Sequence, residues 1–146
     1  MVNQENSLFK EEREHFNKSE VLIITLGTAW VYEFNETNKI VANCHKIPQN
    51  NFSKRLLDID EIVNAYLPIL NQLRHLNIIF TVSPVRHIKD GLHENNLSKS
   101  TLLLSIKNLV EHNSNCYYFP AYEIIIDELR DYRFYKNDLV HPTEMA

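Results

Sequence analysis

The chain has 146 residues, the length of one domain with a single core. Lysine and arginine total 15 against 19 aspartates and glutamates, a net charge of −4 that speaks against a general nucleic-acid binder with a basic face. Hydrophobic residues at 44% fit a globular chain, and just two glycines, Gly27 and Gly91, rule out glycine-rich phosphate loops and a G-x-S-x-G nucleophile elbow.

In chain order, residues 1–19 are polar and charged, with isolated Leu8, Phe9 and Phe16, and suggest a short helix ending near Asn17. Val21 to Leu26 is a short, continuous, β-rich run ended by Gly27, which predicts a strand buried on both faces, as in a parallel sheet. A hairpin follows, Trp30 to Phe34 and Lys39 to Ala42 around a turn at Asn35–Asn38. Residues 43–57, punctuated by Asn43, Pro48, Asn50 and Asn51, are expected to be loop. Asp58 or Asp60 can cap a helix reaching to near Leu76, with a kink at Pro68. Ile78 to Val82 is a second buried-type strand, stopped by Ser83-Pro84, and a loop from Val85 to Leu92 carries Gly91 as a turn residue. A helix from about Glu94 to Glu111 should place Leu97, Leu103, Leu104, Ile106, Leu109 and Val110 on or near one face. Cys116 to Phe119 is a third strand and Tyr122 to Leu129 a short helix. Strands alternating with helices define an α/β chain with a parallel sheet.

Two cysteines, Cys44 and Cys116, make no disulfide framework, no secretion signal opens the chain, and no apolar run nears the ~20 residues of a membrane span. The expectation is a cytoplasmic protein with no membrane partner.

Ligands of open α/β sheets bind beyond the carboxyl ends of the strands. The residues expected there are Gly27, Thr28 and Ala29, then Asn43, Cys44 and His45, then Ser83, Arg86 and His87, then Pro120, Tyr122 and Glu123, and finally Asp138 and His141. Asp138-Leu139-Val140-His141 is the sharpest feature. An Asp three residues before a His can accept the Nδ1–H bond and leave Nε2 free as a base, as in a hydrolase triad. The bland alternative is a turn with a local Asp–His hydrogen bond. Arg86 and His87 could bind a polar or anionic substrate group or tie their loop down. Gly27 is expected to serve a close backbone approach or a positive φ. Cys44, His45, His87 and His141 raise the question of zinc, but no C-x-x-C, H-x-x-x-H or H-E-x-x-H spacing supports it, and no metal or cofactor is expected. Cys44 as a nucleophile beside a histidine is a further alternative.

The blocks Ile23–Trp30, Asn43–Pro48, Thr81–His87, Asp127–Tyr135 and Asp138–Pro142 together resemble the GSCFA-domain family, which is related to the SGNH (GDSL-like) hydrolases. The resemblance runs from about residue 19 onward. It implies a flavodoxin-like, three-layer α/β/α sandwich with a mostly parallel sheet and a Ser–His–Asp site. Asp138 and His141 match the D-x-x-H block, so they would be the orienting acid and the base. The family's G-S-C-F-A nucleophile block has no counterpart here, and neither Ser7 nor Ser19 has a nucleophile's post-strand setting. The oxyanion-block asparagine, two residues after a glycine, is replaced by Ala29, with Asn43 as a substitute donor. Gly27, Asn43, Ser83, Arg86 and His87 are therefore the expected oxyanion and substrate-binding group.

This reading makes residues 1–146 one domain, shortened at the N-terminus and at the C-terminus, with its first strands missing. The substrate would be a small ester or acylated molecule, carbohydrates included. The chain alone would be inactive, and an exposed sheet edge would invite self-association. The alternative is a non-catalytic α/β binding or regulatory module.

Overall fold

The computed structural model describes residues 16–42, 44 and 46–146. Among the described residues, six strands form two sheets of three. β1 (Val21–Leu26), β5 (Asn77–Val82) and β6 (Cys116–Tyr118) make a parallel sheet in the order β1-β5-β6. β2 (Trp30–Phe34), β3 (Lys39–Val41) and β4 (Phe52–Leu56) make an antiparallel sheet with β2 in the centre. The α/β class expected from the sequence is the class observed. No described helix is long and apolar enough to cross a membrane.

Helices α1 (Ile59–Gln72) and α2 (Leu92–His112) cross from β4 to β5 and from β5 to β6. The core joins Ile62, Val63 and Leu70 of α1 and Leu102, Ile106 and Leu109 of α2 to Ile78, Phe80 and Val82 of β5. Alternation along the strands sends Ile23, Ile79 and Tyr117, in register across the sheet, to the opposite face. Ile23 is 64% exposed and Val21 48%, so β1 is not buried on both faces as its composition suggested. Among the described residues it is an edge strand, with Leu22, Ile24 and Leu26 packed on the core.

Asp58 caps α1 in a capping box, its carboxylate accepting from Glu61 N at 2.7 Å while Glu61 accepts from Asp58 N at 3.1 Å. Arg55 forks onto the same Glu61 with two bonds of 2.7 Å and donates to Glu33 on β2 at 2.7 Å, tying β4, β2 and α1 together. Its guanidinium holds the Glu61 carboxyl down to about 2. The helix runs through Pro68 and stops at Gln72, short of the expected Leu76.

Two further expectations are corrected. Residues 52–56, read as loop, form β4, paired from Trp30↔Leu56 to Phe34↔Phe52. Phe-Ser-Lys-Arg-Leu shows no strand alternation of its own; β2 imposes the conformation from across the sheet. In α2, Leu97 and Leu104 are 41% and 52% exposed rather than part of the packed face. The buried stripe is Asn95, Ser98, Lys99, Leu102, Ser105, Ile106 and Leu109, a helical period whose first turns are polar. α2 opens at Gly91, whose φ of 91° and ψ of 154° suit glycine alone. The chain ends through a short α-turn (Ala121–Glu123), a π-turn (Ile124–Glu128) and a bridge between Tyr135 and Pro142.

Candidate active site

The Asp138–His141 turn is built by its own aspartate. Asp138 Oδ1 accepts from Val140 N at 2.9 Å and His141 N at 3.0 Å, and Oδ2 meets His141 Nδ1 at 2.7 Å. The two backbone donors and then the imidazole hold the Asp138 carboxyl well below the usual carboxylate range. An ionised carboxylate only accepts, so in the neutral ring this bond favours the proton on Nδ1 and a lone pair on Nε2. Nε2 has no partner among the described residues. Leu139, between them, takes a left-handed φ of 57°, a conformation that costs about 1–2 kcal/mol for a non-glycine residue. Arg86 clamps this strained residue from the β5 side. Its guanidinium donates to Leu139 O at 3.2 Å and to the Tyr135 hydroxyl at 3.4 Å, stacked 4.9 Å from the Tyr135 ring centroid.

Asp138 and His141 open onto a groove of about 1020 Å³ between the antiparallel sheet and the loop after β5. One wall is the antiparallel sheet, with Trp30 and Tyr32 from β2, Val41 from β3 and Lys54 from β4. The other is the loop after β5, with Arg86, His87 and Ile88. Lys54 bonds to Asp90 and lies 5.0 Å from the Trp30 ring and 5.8 Å from that of Tyr32, so it joins the two walls at one end. The lining is largely apolar, with Thr28, the two histidines and a few charged groups, as ligand sites are.

Below the groove, the first turns of α2 hold the strand ends. Lys99, 1% exposed, donates from Nζ to Gly27 O at 2.6 Å and Ser83 O at 2.7 Å. Burial lowers its pKa to about 8. Ser98 Oγ accepts from Ala29 N at 2.7 Å and bonds Thr28 Oγ1 at 3.0 Å, and Asn95 Oδ1 accepts from His87 N at 3.0 Å.

The residues singled out from the sequence therefore divide. Asp138, His141, Arg86 and His87 share the groove. Gly27 and Ser83 lie beneath it, joined through Lys99. Asn43 and His45 lie outside the described residues. Gly27 has neither expected property: its φ is not positive, and a Cβ built there meets nothing within 4 Å. The Ala29 amide is taken by Ser98, whereas the Gly27 and Thr28 amides have no acceptor among the described residues. Glu123 accepts from the Tyr118 hydroxyl at 2.6 Å and is not part of the lining. Ser19 precedes β1, at the end of the sheet away from the groove. Among the described residues no group of three or more His, Cys, Asp or Glu side chains could hold a metal ion. Sequence reasoning missed Trp30, Tyr32 and Lys54 as lining and Asn95, Ser98 and Lys99 as supports. The signal for the latter was available: their helical spacing continues the apolar stripe Leu102, Ile106, Leu109 backward.

No curated protein and no solved structure matches the chain. The family model described as "GSCFA family" matches residues 1–146, the whole chain, whose Asp138–Pro142 turn and post-strand loops had pointed the same way, and the chain belongs to that family.

Proposed function

We propose that the groove is the acyl-ester site of an SGNH-like hydrolase, with His141 as general base and then general acid and Asp138 as its orienting partner. The observation that carries this reading is the 2.7 Å Asp138 Oδ2–His141 Nδ1 contact at the edge of an apolar groove, with Nε2 unpartnered among the described residues. In the reaction Nε2 takes the proton of an attacking hydroxyl as it adds to the ester carbonyl, then returns it to the leaving alcohol. The Thr28 amide, at the groove and without an acceptor among the described residues, is a candidate donor to the oxyanion. The substrate would be a small ester or acylated molecule whose apolar part lies against Trp30, Tyr32 and Val41.

No serine lines the groove among the described residues. In this reading the nucleophile comes from the family's G-S-C-F-A block, whose strand can add at the edge of β1 that no described strand pairs; such an edge, left unpaired, favours self-association. The same observation favours a second reading, a non-catalytic binding module that keeps the groove.

The test has two parts. The 146-residue chain, mixed with short-chain chromogenic esters, should bind them, as seen in Trp30 emission, without turnover. The chain joined to a G-S-C-F-A segment should turn them over, with activity falling about 10²–10⁴-fold in His141→Ala. Binding without turnover in the joined protein would establish the module instead. Turnover indifferent to His141→Ala would contradict the hydrolase.

A further inference from the structure

Lys99 is a buried titratable group that the proposed chemistry does not use. It is 1% exposed, and among the described residues no carboxylate pairs with it. A buried ammonium without a counter-ion is costly, so fold stability alone does not account for its charge. What it does hold is specific: the carbonyls that end β1 and β5, at Gly27 and Ser83. From Gly27 the chain passes directly into the groove. The Thr28 hydroxyl accepts from Trp30 N at 3.1 Å, and the Trp30 indole N–H reaches Glu94 O on the same helix at 3.4 Å. Ionisable groups on the packed segments are His93 and Glu94 on α2, Arg86, His87, Lys89 and Asp90 after β5, Cys116 and Tyr118 on β6, Tyr66 on α1, Tyr32 on β2, and Lys54 on β4, 5.0 Å from the Trp30 ring; none is bonded to Nζ.

We propose that Lys99 is a positioning residue of the groove: its ammonium pins the carbonyl ends of β1 and β5 and thereby sets where Thr28 and Trp30 stand in the groove wall. Hydrogen bonds from a charged donor are roughly twice as strong as neutral ones. Proton loss leaves an amine with weaker bonds to the same two carbonyls, and the segment from Gly27 to Trp30 loosens. The inference rests on the groove being a ligand site but on no hydrolytic step.

Trp30 is the only tryptophan, so its indole N–H resonance is a single reporter for this segment; Lys54, 5.0 Å from the ring, is told apart from Lys99 because Lys99→Met leaves it in place. The experiment is an NMR titration of the chain, with labelled lysine and tryptophan, from about pH 6.5 to about pH 10. One lysine ε-carbon should titrate near pH 8, and the Trp30 indole should move with the same midpoint. Lys99→Met should abolish both transitions, and Lys99→Arg, which keeps its charge, should leave the indole flat. The transition should persist in Cys44→Ser; its loss there would assign it to the thiol and overturn the proposal. If Lys99→Met fails to fold, the wild-type titration still decides. Lysines that all titrate at the usual ~10.4, or an indole that stays still while a lysine titrates near pH 8, would overturn the proposal. Failure of esters to bind or react would refute the hydrolase reading and leave these outcomes unchanged.

Discussion

The two sides of the groove are held by opposite strategies. The Asp138–His141 turn is self-contained: one carboxylate satisfies two amides and an imidazole within three residues, and Arg86 adds a single long-range clamp. The Gly27–Trp30 side is held from 69 to 72 residues away, by Ser98 and Lys99 on α2. The local device sits at the surface, with His141 and Asp138 side chains 55% and 48% exposed, where the imidazole faces the groove. The distant device is buried, where the same kinds of polar bond act in a low dielectric and losing one leaves an orphaned group.

The sharpest way to break this contrast is Ser98→Ala. It strips the acceptor from the buried Ala29 amide and should cost about 1–3 kcal/mol in urea unfolding, with a change in Trp30 emission. A smaller loss with unchanged emission would mean that the floor does not depend on α2.

The two sides should also answer to opposite ends of the pH scale. Asp138 titrates below its usual 3.8 when folded, so its contribution is complete above about pH 4 and is lost as pH falls. Hydrogen exchange at the Val140 and His141 amides separates this from Glu61, whose carboxyl, drawn to about 2, makes a second acid-sensitive contribution elsewhere. Lys99 titrates near 8 when folded against a usual 10.5, so between those values the unfolded chain binds more protons. Its effect on global stability is therefore a rise with pH from about 8 to 10.5, even as the groove floor loosens. Chemical denaturation across that window checks the sign as the difference between wild type and Lys99→Met, which cancels the opposing fall from Cys116, Tyr66, Tyr118 and Tyr122, all raised by burial.

Smaller effects sharpen the picture. Arg86→Gln should change global stability by less than about 0.5 kcal/mol while speeding exchange at the Asp138–His141 turn. Gly27→Ala should be neutral within about 0.5 kcal/mol, because its Cβ meets no neighbour and its φ is not positive. A larger cost in unfolding would show that this strand end is tighter than the structure has it.

The same contrast explains what the sequence could tell. Asp138 and His141 were legible because their interaction spans one turn. β1 was legible as a strand, but its exposure was not, since an apolar run does not say whether a second layer covers it. β4 stayed hidden because Phe52–Leu56 takes its shape from β2. Ser98 and Lys99 stayed hidden because apolar periodicity gives weight to Leu97 and Leu104 and passes over polar residues on the buried side. Their meaning depends on Gly27 and Ser83, which only the folded chain brings within reach.

The central claim is that Asp138 orients His141 as a base. The direct measurement is the ¹⁵N chemical shift pair of the neutral His141 ring, in the wild type and in Asp138→Asn. The account predicts the Nδ1–H tautomer in the wild type, with Nε2 unprotonated, and a shift of that tautomer balance in Asp138→Asn. A wild-type ring protonated mainly at Nε2, or a balance indifferent to Asp138→Asn, would contradict it.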